Sequence, residues 1–224
     1  HISRLTLVRK VVEKTFDFYG GSGKDATLWE LNCFMSNSGA RRQLVHADNV
    51  CLEPVPGLHP PGSWNADEPI LLTCFIALQD TAVTMGPTIW MPGTHTLDAH
   101  NQFFETKRDI ASTKTDSFSP KNDLLRTSAA VVGAPLPKGS CVMFDPRVLH
   151  CASENTCTAP ERTRALFYMS FKNPKVDSPG CPSTSGYGIA SADVTIQELV
   201  SQIKLFEAGE KTKAQKLSRI ASFP

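Results

Sequence analysis

Hydrophobic positions along the chain change rhythm once. Over residues 5–18, LTLVRKVVEKTFDF, apolar residues recur at the spacing of one helix face, and GGSGKD then breaks the pattern. From Leu28 the texture is short runs rich in β-branched, aromatic and sulfur-containing residues: TLWELNCFMS, RQLVHAD, ILLTCFIALQD, TIWMPGTH, SCVMFDPRVLHCA and RALFYMSFKN. Turn-forming SNSG, PVPGLHPPGSW, TMGP, PLPKGS and TAPE separate them. Short strands punctuated in this way predict a mainly antiparallel, all-β sandwich or barrel.

Two segments depart from that rhythm. The stretch HTLDAHNQFFETKRDIASTKTDSFSPKNDLLRTSAA is polar, weakly helical in its first part and too long for a hairpin turn. Such an insertion is expected to form a lid or wall of a binding cavity. The tail carries helical spacing at Ile196, Leu199, Val200 and Ile203, with Asp193 or Thr195 as N-cap. It predicts a C-terminal helix over about 194–218 that packs outside the sheet. Without an internal repeat or a shift in composition, the chain reads as a single domain, 1–224, with its β core at about 28–173. GGSGK lacks the spacing of a phosphate-binding loop and is assigned to a turn.

Composition narrows the function classes. At 224 residues, 41% hydrophobic and 20% charged, the chain is large enough for one sizeable core. A formal net charge of +1 gives no overall reason to expect nucleic acid or a membrane surface as partner. No apolar run reaches the roughly 20 residues that span a bilayer, and HISRLTLVRK lacks the order of a secretory signal. Opening on His1 rather than Met, the chain reads as a fragment or a processed form. The 7 cysteines are odd in number and contain no C-x-x-C pair. They fit a reduced, intracellular and cytoplasmic setting in which most, Cys151 included, act as small apolar residues.

The candidate chemistry sits in RRQLVHADN. His46 and Asp48 are two residues apart, so on a strand both project to one face. Such a pair is commonly an ordinary surface contact, and a metal site needs a third ligand from another segment. KGSCVMFDPRVLH supplies one in His150. Two histidines and a carboxylate occupy one face of an octahedron and leave three positions open, the arrangement suited to non-haem Fe(II).

His46-Ala47-Asp48, GPTIWMPGTH, the KGSCVMFDPRVLH run and Asn155 with RTRALFYMSF together resemble the phytanoyl-CoA dioxygenase family, from about Trp29 to Asn173. The resemblance implies a double-stranded β-helix, a jelly-roll or cupin-like barrel, here with flanking N- and C-terminal helices. It implies Fe(II) held by His46, Asp48 and His150, with 2-oxoglutarate as cosubstrate and ascorbate as an accessory reductant. A related halogenating group lacks the carboxylate; Asp48 therefore favours oxygenation, with hydroxylation of a C–H bond and release of succinate and carbon dioxide.

The cosubstrate's distal carboxylate calls for an arginine, whose planar fork suits a bidentate partner. Counting from His150 favours Arg162, whereas the frame of the strand RALFYMSF favours Arg164, and the strand frame is preferred because the loop before it absorbs extra residues. Gln43 and Thr88 match positions from which family members contact the cosubstrate. Phe75 falls where an aromatic packs against it, and Asn32 is expected to face the same cavity. His59, His95 and His100 lie in polar sequence and are not expected to be ligands.

Expected partners are thus a small organic substrate, 2-oxoglutarate and molecular oxygen, and neither the substrate nor the oligomeric state is readable. Lys107, Arg108, Lys114 and Lys121 in the insertion suit either an anionic substrate or a solvated loop. A jelly-roll protein that binds a metal or small molecule without turnover is the alternative. A zinc hydrolase on the same ligands is a third reading, and it leaves the arginine after His150 without a task.

Overall fold

The N-terminal helix forms where its period predicts and extends further: α1 spans Ile2–Phe18. Val8, Val12 and Phe16, at i, i+4 and i+8, are its buried stripe, and Phe18 faces solvent. The computed structural model describes residues 2–51, 68–104, 119–158, 163–176, 195–198 and 201. After a short 3-10 turn, the strands are β1 (Thr27–Ser36), β2 (Leu71–Ala77), β3 (Thr88–Trp90), β4 (Val131–Val132), β5 (Cys141–Phe144), β6 (His150–Ala152) and β7 (Arg164–Lys172). Between β3 and β4 lie α2 (Leu97–Phe104) and α3 (Pro120–Thr127).

All strand pairs are antiparallel, in a four-stranded sheet ordered β1-β7-β2-β5 and a three-stranded sheet ordered β4-β3-β6. They are the two walls of the expected double-stranded β-helix. Alternation along β7 shows how the layers form. Leu166 and Tyr168 point between the sheets and cluster with Phe75, Phe144 and Trp90. Met169 and Phe171 point the other way and, with Leu72 and Cys74, lie under Val8, Val12 and Phe16 of α1. Each fully buried apolar side chain there contributes about 1.5–3 kcal/mol. Because both faces of the large sheet are covered, β2 is an almost continuous apolar run rather than an alternating one.

Gly86 has φ +71 and an added Cβ would stand 2.8 Å from Ser153 O, so the turn into β3 requires glycine. β4, paired only to Ile89 and Trp90, escaped the sequence reading. The expected strand RQLVHAD is not a regular strand. Its backbone meets the β6 segment through Gln43 N to Ala152 O and the isolated bridge between His46 and His150. Beyond His46 the ladder stops because Val148, opposite Asp48 in this register, gives its N–H to Asp145 O in a turn, and Asp48 N and Asn49 N both donate to Pro146 O instead.

The described part of the insertion is a wall. Phe103 of α2, with Leu124 and Leu125 of α3, packs on Met91, Leu149, Val45 and Ala47. Residues 105–118 lie outside the described residues, as does most of the expected C-terminal helix. Its start is described: Glu198 N donates to Thr195 Oγ1 and Thr195 N to Glu198 Oε2, a reciprocal cap, and Ile196 is buried beside α1. No helix among the described residues is long and apolar enough to cross a membrane.

One histidine joins the segments that carry the candidate ligands. His100 on α2 is fully buried, although it lies in polar sequence. Its Nε2–H donates to Arg147 O at 2.7 Å, and its Nδ1 accepts from Cys51 N at 2.8 Å. It therefore ties the chain just after Asp48 to the chain just before His150. Arg147, itself buried, is clamped by two guanidinium nitrogens to the Asp145 carboxylate.

Burial pushes the His100 pKa below the ordinary histidine value, against the smaller opposing effect of its bond to Arg147 O. The folded chain thus resists a proton that the unfolded chain accepts below about pH 6.5. Stability present above that pH is lost as pH falls toward the lowered folded value, and no further beneath it. In metal-free protein the thermal midpoint is expected to fall between about pH 7.5 and pH 5, and to fall less in His100→Gln. An equal pH slope in the two proteins would remove His100 as the source.

Candidate metal centre

His46 and His150 are placed by the backbone. Each donates its N–H to the other's carbonyl, at 2.9 and 2.8 Å, so they are directly opposed residues of an antiparallel pair and project to the same face. Their ring centroids are 4.5 Å apart. Asp48, two residues beyond His46, reaches both: Oδ1 lies 3.6 Å from His46 Nε2 and Oδ2 lies 3.5 Å from His150 Nε2. The intervening Val45 and Ala47 turn to the wall formed by the insertion. That alternation, apolar side chains to the wall and candidate ligands to the cavity, explains why the His and the Asp are spaced by one residue.

The three candidate ligand atoms lie within 4.8 Å of one another. Both imidazoles are set up identically. His46 Nδ1 donates to Leu44 O and His150 Nδ1 to Val148 O, each at 2.8 Å and each to the carbonyl two residues earlier. A carbonyl only accepts, so the proton sits on Nδ1 and the Nε2 lone pair is left for a metal. Burial holds the His150 pKa below the ordinary histidine value, more than the neighbouring Asp48 charge raises it, so the ring is neutral near pH 7. Two imidazole nitrogens and one carboxylate oxygen, with Asp48 and His46 partly open to solvent, fit a divalent ion that keeps free positions.

These three residues line a cavity of about 260 Å³ together with Gln43, Phe75, Thr88 and Arg164. Arg164, the first residue of β7, is buried, and its Nη1 lies 3.4 Å from Thr88 Oγ1. Its Nε has no hydrogen-bond partner and no carboxylate among the described residues pairs with it. Burial alone lowers its pKa. A buried guanidinium without a counter-charge is costly, and a carboxylate entering the cavity offsets that cost.

The strand frame thus brings Arg164 to the cavity; Arg162 lies outside the described residues. Gln43 lines the cavity, but its Oε1 accepts from Ala152 N and so also holds the β6 segment in place. Asn32 does not reach the cavity and instead bonds Cys33 N through Oδ1. Further along β1, the mouth is lined by Phe34, stacked on Tyr168 with centroids 4.8 Å apart, and by Met35 and Ser36. The sequence reading missed them, although Phe34 shares the parity of Asn32 two residues on. Arg41 lines the same mouth. Lys121 sits 4.4 Å over the Phe103 ring, outside this cavity.

No curated protein matches the chain in sequence. Among solved structures it is similar to AviO1 from Streptomyces viridochromogenes Tue57, at 17% identity over 77% of this chain and 60% of that one, with a TM-score of 0.47. It is similar to the non-heme alpha ketoglutarate dependent carbocyclase SnoK from nogalamycin biosynthesis, at 20% identity over 77% and 60%, TM-score 0.46. EctD from S. alaskensis with bound Fe is similar at 13% identity over 70% and 49%, TM-score 0.45. The chain spans 60% of the length of the first two structures. The sequence profile of the phytanoyl-CoA dioxygenase (PhyH) family matches residues 6–163, well over half of the 224-residue chain. The chain belongs to the phytanoyl-CoA dioxygenase family.

Proposed function

We propose that the chain is an Fe(II)- and 2-oxoglutarate-dependent dioxygenase that hydroxylates a C–H bond of a small organic substrate, with release of succinate and carbon dioxide. The observation that carries this reading is a buried arginine, without a carboxylate partner among the described residues, on the same cavity as a His-Asp-His cluster. A zinc hydrolase needs the cluster but gives Arg164 nothing to do. A dicarboxylate cosubstrate uses both.

His46, Asp48 and His150 would hold the iron, which supplies the one-electron and oxygen chemistry. Each residue's part follows from its setting. The two Nδ1–H bonds keep both rings oriented with their Nε2 atoms turned toward the metal position, while Asp48 contributes the negative charge. Arg164 would bind the distal carboxylate of 2-oxoglutarate, with Thr88 aligning its Nη1 edge. Phe75 presents a ring braced at close to a right angle by Phe144, 4.9 Å between centroids, and so gives the cosubstrate a dry wall. Gln43 is the remaining polar group proposed to reach it, through its free Nε2 hydrogens. Phe34 and Met35 would exclude water at the mouth once substrate is bound.

The test is succinate formed from 2-oxoglutarate with Fe(II) and oxygen across a panel of small organic molecules. His46→Ala and Asp48→Ala are expected to lower it by more than about 100-fold while the protein stays folded. Wild-type turnover in either would refute the ligand assignment. Arg164→Ala is expected to raise the half-saturating 2-oxoglutarate concentration by about 30- to 100-fold, with partial recovery in Arg164→Lys. An unchanged requirement would dissociate Arg164 from the cosubstrate.

A further inference from the structure

On the far side of the large sheet from the cavity, two cysteines meet. Cys74 on β2 is fully buried among the residues covered by α1, whereas Cys141, the first residue of β5, is exposed. In the β2–β5 register Cys74 stands opposite Met143 and Ile76 opposite Cys141. Cys74 and Cys141 are therefore diagonal neighbours on one face of adjacent antiparallel strands. Their Sγ atoms are 2.8 Å apart, with the residues 67 positions apart in sequence. No such pairing was legible in the sequence, because a cross-strand contact depends on register.

We infer that Cys74 and Cys141 form a reversible oxidation site, which hydrogen peroxide converts to a disulfide linking β2 to β5. Exposure makes Cys141 the attacking sulfur and burial makes Cys74 the resolving one. The hydrogen bond from the Cys74 thiol stabilises the Cys141 thiolate and lowers its pKa, and the same bond together with burial pushes the Cys74 thiol up.

The Cys141 thiolate attacks one peroxide oxygen; an S–O bond forms, the O–O bond breaks, and the departing hydroxide takes a proton and leaves as water. Cys74 sulfur then attacks Cys141 sulfur, the S–S bond forms, the S–O bond breaks, and the second hydroxide leaves as water with the Cys74 proton. Two thiols lose two electrons and two protons in all, and the peroxide becomes two waters. An external dithiol returns both electrons and both protons. The bond would fix β5, from whose end the chain turns through Asp145 and Arg147 to His150.

The experiment treats the full, reduced chain with a small excess of hydrogen peroxide, counts remaining thiols and maps linkages by peptide mass spectrometry without reduction. The expected result is loss of two of the 7 thiols, a Cys74–Cys141 linked peptide that a dithiol removes, and its absence in Cys141→Ser but not in Cys33→Ser. Cys141 is exposed, so the serine variant is not expected to disturb the core. Retention of all thiols, linkage through other cysteines, or oxidation of Cys141 to the sulfinic acid with Cys74 still free would overturn the assignment.

Discussion

The candidate centre depends on one reciprocal backbone pair. His46 and His150 exchange N–H···O bonds, and that exchange puts two side chains about a hundred residues apart in sequence on one face of the fold. Period-2 geometry makes this pair decisive: a slip of one residue would turn His46 and Asp48 into the hydrophobic wall and bring Val45 and Ala47 to the cavity. The packing of Val45 and Ala47 against Phe103 and Leu149 opposes that slip. His100 opposes it too, by holding the residues after Asp48 and before His150 to α2.

A second constraint is electrostatic. Arg164 is buried beside Phe75 and Leu166 with no carboxylate partner among the described residues, and burying an unpaired guanidinium costs stability. A fold keeps such a group most readily where an incoming anion completes it. The centre and the arginine thus form a divided site, with the metal ligands partly open to solvent and the cation buried, and a bidentate dicarboxylate matches both.

How far this was legible in sequence follows from which features are local. Strands with continuous apolar runs, such as Leu71–Ala77, and the helical period around Val8, Val12 and Phe16 announced themselves because their signal lies in neighbouring residues. The His46-Asp48 spacing and the frame of Arg164 on β7 were readable for the same reason. The two-residue β4 carries too little sequence to show a period, and RQLVHAD promised a ladder that the turn at Asp145–Val148 interrupts. The Asp145–Arg147 clamp, the buried role of His100 and the meeting of Cys74 with Cys141 depend on register and packing between distant segments, so no window of sequence contains them.

The most direct test of the central claim is anaerobic calorimetric titration of 2-oxoglutarate into the chain with and without one equivalent of Fe(II). Binding of one 2-oxoglutarate per chain that requires the iron, and that is lost in the His150→Ala variant, is the predicted result. Equal binding in the absence of iron, or none to the iron-loaded chain, would contradict a shared site built on His46, Asp48, His150 and Arg164.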